Sequence, residues 1–231
     1  MSYIPTIGAQ AEVRQRSIMS QVYAWMTAGL LVTGAVAAYT ANTPALLALI
    51  FGNPIVFWGL IIAEFGMVFA LSAAIGRLSP TAGTALFLGY SALNGLTLAA
   101  IFLVYTRASI AQTFFVTAAT FGAMSLYGYT TKRDLSTIGN LLVMALIGFF
   151  IGSIVNIFLA SSALYWILTY AGIAIFIGLT AWDTQKIKLM SQRAHDDTSA
   201  RRVAILGALM LYLDFINLFL LLLRLLGSRR S

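Results

Sequence analysis

Seven times along its 231 residues the chain runs through about 20 consecutive, mostly apolar positions, the length an α-helix needs to cross a ~30 Å hydrocarbon layer. The runs fall near residues 21–41, 54–75, 81–105, 109–130, 137–159, 162–182 and 203–226. In hydrocarbon no backbone N–H or C=O can be left without a partner, and helices satisfy all of theirs internally. The pattern therefore predicts an all-α membrane protein, a bundle of seven transmembrane helices. Breakers separate the runs: Asn42, Thr43 and Pro44, then Gly52-Asn53-Pro54, Arg77 with Ser79-Pro80, Lys132-Arg133-Asp134, and Ser161-Ser162. Only 9% of residues are charged, against about a quarter in soluble domains, so no extramembrane domain is expected. The expected organisation is an N-terminal segment over 1–20, a single seven-helix transmembrane domain over 21–226, and a short basic tail over 227–231. Ala35-Val36-Ala37 has the small-residue form of a leader cleavage site. The run from Val22 to Ala41 is nevertheless long enough to span, and it reads as an uncleaved first helix.

The chain holds 14 Lys and Arg against 7 Asp and Glu, a formal charge of +7. The basic residues lie between apolar runs rather than on one amphipathic face, which makes them topology signals and argues against nucleic acid as a partner. With the N-terminus in the cytoplasm, ten of them are inside: Arg14, Arg16, Arg77, Lys132, Arg133, Lys186, Lys188, Arg193, Arg201 and Arg202. Four are outside: Arg107, Arg224, Arg229 and Arg230. The bias predicts an N-in membrane protein whose C-terminus is outside. A re-entrant last helix would make the count thirteen against one, but residues 203–226 are long enough to cross. With no Cys there is neither a disulfide nor thiolate chemistry. His195, alone in a loop, cannot build a zinc site.

Three carboxylates fall within or at the edge of spans: Glu64, Asp183 and Asp214. A charge at a bilayer centre costs roughly 2.5–3.5 kcal/mol on insertion scales, so each needs a partner or a task. Asp183 closes the sixth run and Asp214 lies about three turns into the seventh, which begins on the same side. Consecutive antiparallel helices are neighbours by default, and helical extensions beyond the bilayer would let the two meet. Two carboxyl groups in hydrogen-bond contact share a proton and titrate in two macroscopic steps. Once deprotonated, they are ligands for a hard cation such as Ca²⁺. The alternative is that Asp214 bonds a Thr, Tyr or Asn of another helix while Asp183 caps a helix end. Arg224 lies about 15 Å beyond Asp214 along the helix, within reach of Glu64 in the outer half, or else snorkels to the headgroups. Asp134 reads as a solvated carboxylate or a cap of the fifth helix, and Asp196 and Asp197 with Thr198 as the first turn of the seventh. Gly148, Gly152 and Asn156 form a small-residue stripe suited to close helix packing. Asn94 and Asn217 read as interhelical hydrogen-bonding groups.

Four segments, "YSALNGLTL", "MSLYGYTTKRDLS", "GLTAWDTQKIK" and "ILGALMLYLDFINLFLLLLRLLG", resemble the bacterial branch of the Bax inhibitor-1, or transmembrane Bax inhibitor motif, family. The likeness covers nearly the whole chain. It implies two layers of three helices enclosing the C-terminal helix, and a proton-sensitive calcium leak. It further implies that Asp183 and Asp214 are the pH-sensing, ion-gating pair and that Glu64 and Arg224 form an outer ion pair. On that reading Ca²⁺ is the transported ion and no cofactor is needed; the partners are the lipid bilayer, Ca²⁺ and H⁺. Two other readings stand beside it. One is a regulatory protein that binds other membrane proteins, such as a quality-control protease, without conducting ions. The other is an intramembrane aspartyl protease, whose Gly-x-Gly-Asp signature has no counterpart in the contexts Ala-Trp-Asp-Thr and Tyr-Leu-Asp-Phe, so that no enzymatic activity is expected.

Overall fold

A computed structural model describes the backbone of residues 7–230 and the side chains of residues 11–230. The first six residues of the expected N-terminal segment, and Ser231 of the basic tail, lie outside the described residues. Those described form nine helices: α1 Ile7–Ala41, α2 Pro44–Phe51, α3 Pro54–Ala74, α4 Pro80–Leu98, α5 Ile101–Val104, α6 Arg107–Thr130, α7 Ser136–Leu159, α8 Ser162–Gln192 and α9 Asp197–Leu226. Seven are long and apolar enough to cross a membrane: α1, α3, α4 continued by α5, α6, α7, α8 and α9. Among the described residues there is no strand, only an isolated bridge between Tyr105 and Arg229.

Local chemistry explains most boundaries. Pro44, Pro54 and Pro80 each open a helix at its first turn, where a missing N–H costs nothing. Asn53, Ser79 and Thr106 cap α3, α4 and α6 by accepting from backbone N–H groups. Asp134 accepts from the Ser136 N–H at 2.9 Å, and Asp196 from that of Ser199 at 2.9 Å, as their positions before α7 and α9 predict. At the end of α7, Ala160 is left-handed, with φ 48° and ψ 31°, and the Asn156 side chain accepts from the Ser161 N–H.

The structure departs from the apolar runs where charge and helix coexist. Helix α8 continues to Gln192 and α9 begins at Asp197, so most of the segment between the sixth and seventh apolar runs is helix, as extensions beyond the bilayer require. An apolar run stops at the first charge, but Gln, Lys, Leu and Met are strong helix formers, and Ile187 is buried.

By packing, the chain divides into two units. The first comprises the described residues up to Val104 together with Ile187–Tyr212; the second comprises Tyr105–Lys186 and the described residues from Leu213. In the first, Gly207 of α9 faces Ile187 and Val22, and the Phe87 and Tyr90 rings meet Tyr212 edge-on with centroids 5.7 Å away. In the second, Ile175, Phe176 and Leu179 of α8 pack with Leu218, Leu221 and Leu222 of α9, covered by Leu142, Leu146 and Phe149 of α7. Helix α9 enters both units and is the most buried span, 72% of its apolar window against at most 33% elsewhere. A helix apolar on every side belongs in a core, and α9 is one. In contrast, α3 and α7 expose Ile55, Ile62, Phe69, Ile157 and Phe158, a surface suited to hydrocarbon.

Within the second unit, the chain after α9 returns to the start of α6. The Thr106 N–H donates to the Ser228 carbonyl at 3.1 Å, and the Ser228 N–H to Ser109 Oγ at 2.9 Å. The tail thus emerges at the end where α6 begins, as four consecutive crossings by α6, α7, α8 and α9 require. Helix α9 runs unbroken through the length that a re-entrant hairpin would interrupt.

Candidate functional site

Helix α8 is fastened on both sides of Asp183. Gly128 of α6 meets the Ala181 carbonyl so closely that a Cβ would overlap it, and Gly139 of α7 lies flat on the Trp182 indole. The hydroxyls of Ser125 and Thr184 are 2.9 Å apart. The Gln185 side chain holds the turn before α7 with both ends, its Oε1 accepting from the Leu135 N–H at 2.9 Å and its Nε2 donating to the Arg133 carbonyl at 2.8 Å. These contacts leave Asp183 little freedom.

Asp183 is 9% exposed and Asp214 of α9 is 4% exposed. Their carboxyl groups are within hydrogen-bonding reach of each other, both in the second unit. The structure therefore brings together the two aspartates singled out from the sequence. Asp183 does not cap α8, which continues to Gln192. One oxygen of each, Asp183 Oδ1 and Asp214 Oδ2, is buried with no hydrogen-bond partner. Two carboxylates this close and this dry repel each other strongly when both carry full charge. Lys186, exposed and lying 4.7 Å over the Trp182 ring, is near enough to act electrostatically on both. Among the described residues no third His, Cys, Asp or Glu joins them in a metal-binding group.

Glu64 and Arg224 fall in different units, and each has partners in its own. Glu64 Oε1 accepts from Thr97 Oγ1 at 2.8 Å. Arg224 reaches Thr169 Oγ1 at 3.5 Å and lies 4.6 Å over the Tyr165 ring, a cation–π contact. Gly152 faces Leu168, whose Cδ2 would be 3.0 Å from a Cβ, but Gly148 has open space around it. The packing face of α7 follows Gly139, Leu142, Leu146 and Phe149 at helical period, and Gly148 lies off it. Asn217 donates to the Leu213 carbonyl of its own helix rather than to a neighbour.

Sequence reasoning passed over a polar chain in the first unit. Tyr212, fully buried, donates to Asn94 Oδ1 at 3.1 Å and lies 2.6 Å from Thr33 Oγ1, which is 2.8 Å from the Ser91 carbonyl. Thr97 Oγ1, 2.8 Å from Glu64 Oε1 and 3.0 Å from the Asn94 carbonyl, joins Glu64 to the same segment. The Tyr212 and Thr33 hydroxyls have two hydrogens for three contacts, so their own contact holds a hydrogen only when one of them gives up its carbonyl acceptor. The available signal was Tyr212 itself, a phenol in a leucine-rich helix, which needs a partner when buried.

The model of the family described as "Inhibitor of apoptosis-promoting Bax1" matches residues 15–231. The chain is 58% identical over 217 residues to "Inner membrane protein YbhL" of Escherichia coli K12, covering 93% of each. An uncharacterised protein of Borreliella burgdorferi is 46% identical over 218 residues, 94% of each chain. An uncharacterised protein of Rickettsia prowazekii is 44% identical over 220 residues, 94% of this chain and 91% of its own.

Proposed function

We propose that this chain, which belongs to the Bax inhibitor-1 family, is a pH-sensitive calcium leak of the bacterial inner membrane, gated by Asp183 and Asp214. The reading rests on one observation, two buried carboxyl groups within reach of each other, each with an oxygen that no protein donor satisfies. In the protonated state the pair shares a hydrogen bond and ties α8 to α9. Without the proton the oxygens repel, and they become hard ligands suited to Ca²⁺. Two carboxylates without a third provide a way-station rather than a storage site, which suits passage of an ion that must also leave. The N-terminus lies in the cytoplasm by the positive-inside count. Glu64 and Arg224 act as the outer restraint on α9 that the family resemblance implies. A double-mutant cycle with Glu64→Gln and Arg224→Gln should then show coupling, and additivity within about 0.5 kcal/mol would count against the pair.

The test is flux through purified protein alone. Sealed vesicles loaded with a Ca²⁺ dye and reconstituted with this chain should admit Ca²⁺ at a rate that changes with pH. Empty vesicles should not. Protein-containing vesicles as tight as empty ones at every pH would remove the leak and leave the regulatory reading, in which the chain acts by binding other membrane proteins.

A further inference from the structure

The first unit carries an open groove of about 580 Å³ that the calcium pathway does not use. Its walls come from three helices: Gln21 and Trp25 of α1, Thr84 and Leu88 of α4, Arg201 and Ile205 of α9. Most of the lining is apolar. The groove sits where the apolar runs of α4 and α9 begin, so one end is at the level of the headgroups and the other faces acyl chains. Trp25 is the amphipathic ring that favours such a boundary.

Among the described residues Arg201 is the only charged group in the lining. Its neighbour Arg202 donates through Nε to the Leu78 carbonyl at 3.1 Å, and Arg14 is paired with Asp197 at 3.2 Å. Arg201 has neither a hydrogen bond nor an ion pair among the described residues. A guanidinium at the mouth of an apolar groove is complementary to an amphiphile with an anionic head, and a phosphodiester accepts its forked N–H groups two at a time. We propose that this groove is a binding site for one anionic phospholipid, the phosphate on Arg201 and the polar rim of Gln21 and Thr84, one acyl chain along Trp25, Leu88 and Ile205. A basic pocket between membrane helices is the general form of such sites.

Native mass spectrometry of the full chain in detergent, titrated with phosphatidylglycerol or phosphatidylcholine, tests the proposal. The wild-type chain should retain one phosphatidylglycerol in preference to phosphatidylcholine. Arg201→Gln should lower that preference about fivefold, the effect of one basic residue near a charged head, while Arg201→Lys restores it in part. Ala85→Phe, which fills the groove, should lose the lipid with the charge intact, and Arg202→Gln should change nothing. Helical circular dichroism of each variant separates loss of the site from loss of the fold. Equal retention of the two lipids by the wild type, or an unchanged preference in Arg201→Gln, overturns the proposal. Displacement of the lipid by ~10 mM inorganic phosphate would also overturn it in favour of a free-anion site, since a held acyl chain resists a ligand without one.

Discussion

Gly128 and Ala181 touch backbone to backbone, with no room for a Cβ between them, two residues before Asp183. The contact fixes the rotation and height of α8 against α6 at the place where height decides whether the aspartates meet. Gly128→Ala should therefore destabilise the protein by about 1–3 kcal/mol, as overpacking does, and should disturb the pH response of flux as well. Gly148→Ala, in open space, should be neutral or stabilising by up to about 1 kcal/mol from helix propensity. Thermal unfolding in one detergent compares the two. Equal effects would mean that close approach at Gly128 is not structural.

Asp183→Asn and Asp214→Asn keep the size and most of the hydrogen bonding of the pair but remove its titration. Each should flatten the pH dependence of Ca²⁺ entry into vesicles. If the proposed leak is right, protons and Ca²⁺ compete in the wild type for the same oxygens, so more Ca²⁺ should require more acid to reload the pair. Two Asn variants with the wild-type profile would reduce Asp214 to a buried residue that holds the bundle together.

Tyr212→Phe removes a hydroxyl that contacts both Asn94 and Thr33 inside the first unit. The groups left behind are buried, and an unsatisfied one costs roughly 1–3 kcal/mol, so the loss should fall in that range. Combined with Thr33→Ala the cost should be smaller than the sum, because the second change removes a group the first stranded. Strict additivity would mean that the 2.6 Å contact carries no energy.

Asp196 is exposed before α9, and its carboxyl is held below the usual range first by the Ser199 hydroxyl, then by the Ser199 N–H. Asp134 is lowered likewise by Ser136. A folded value below the unfolded one stabilises the folded chain above the unfolded carboxylate value near ~4, and that contribution is lost as pH falls through the folded value. Ser199→Ala should lower thermal stability at neutral pH and leave it nearly unchanged at a pH below the folded value, where the carboxyl is protonated in either state. A deficit of the same size at both pH values would show that Ser199 acts without Asp196.

Ala160 adopts φ 48° as the cap of α7, a region that costs a residue with a Cβ roughly 1–2 kcal/mol. Ala160→Gly should therefore raise stability by up to about 1 kcal/mol, less than the full strain because glycine adds freedom to the unfolded chain. A lower unfolding temperature for Ala160→Gly would contradict it.

The spans were legible because apolar length is a property of composition, and the boundaries at Pro44, Pro54 and Pro80 because proline acts locally. Asp183 and Asp214 were legible as costly groups, and two antiparallel helices allowed their meeting without deciding between it and separate partners for each. The short helices α2 and α5 were not foreseen, being too brief to show a period. Gly148 was misjudged because an i, i+4 stripe does not say which way it faces, and the packing face of α7 was set by Leu142, Leu146 and Phe149 instead. The Tyr212 chain depends on four separated segments, Thr33, Ser91 with Asn94, Glu64 and Tyr212, whose meeting is decided by the fold alone.

Helix α9 contributes Ile205, Leu209 and Tyr212 to one unit and Asp214, Leu218 and Leu222 to the other, and it leaves the ribosome after the eight described helices that precede it. Until it arrives, the first core lacks Tyr212, the partner of Thr33 and Asn94, and the second lacks Leu218, Leu221 and Leu222 beside Phe176. Both halves must therefore wait in the translocon's company and mature together once α9 has been made. A nonsense codon before residue 197 would yield not half a working protein but two unfinished ones, both material for the membrane's degradation machinery.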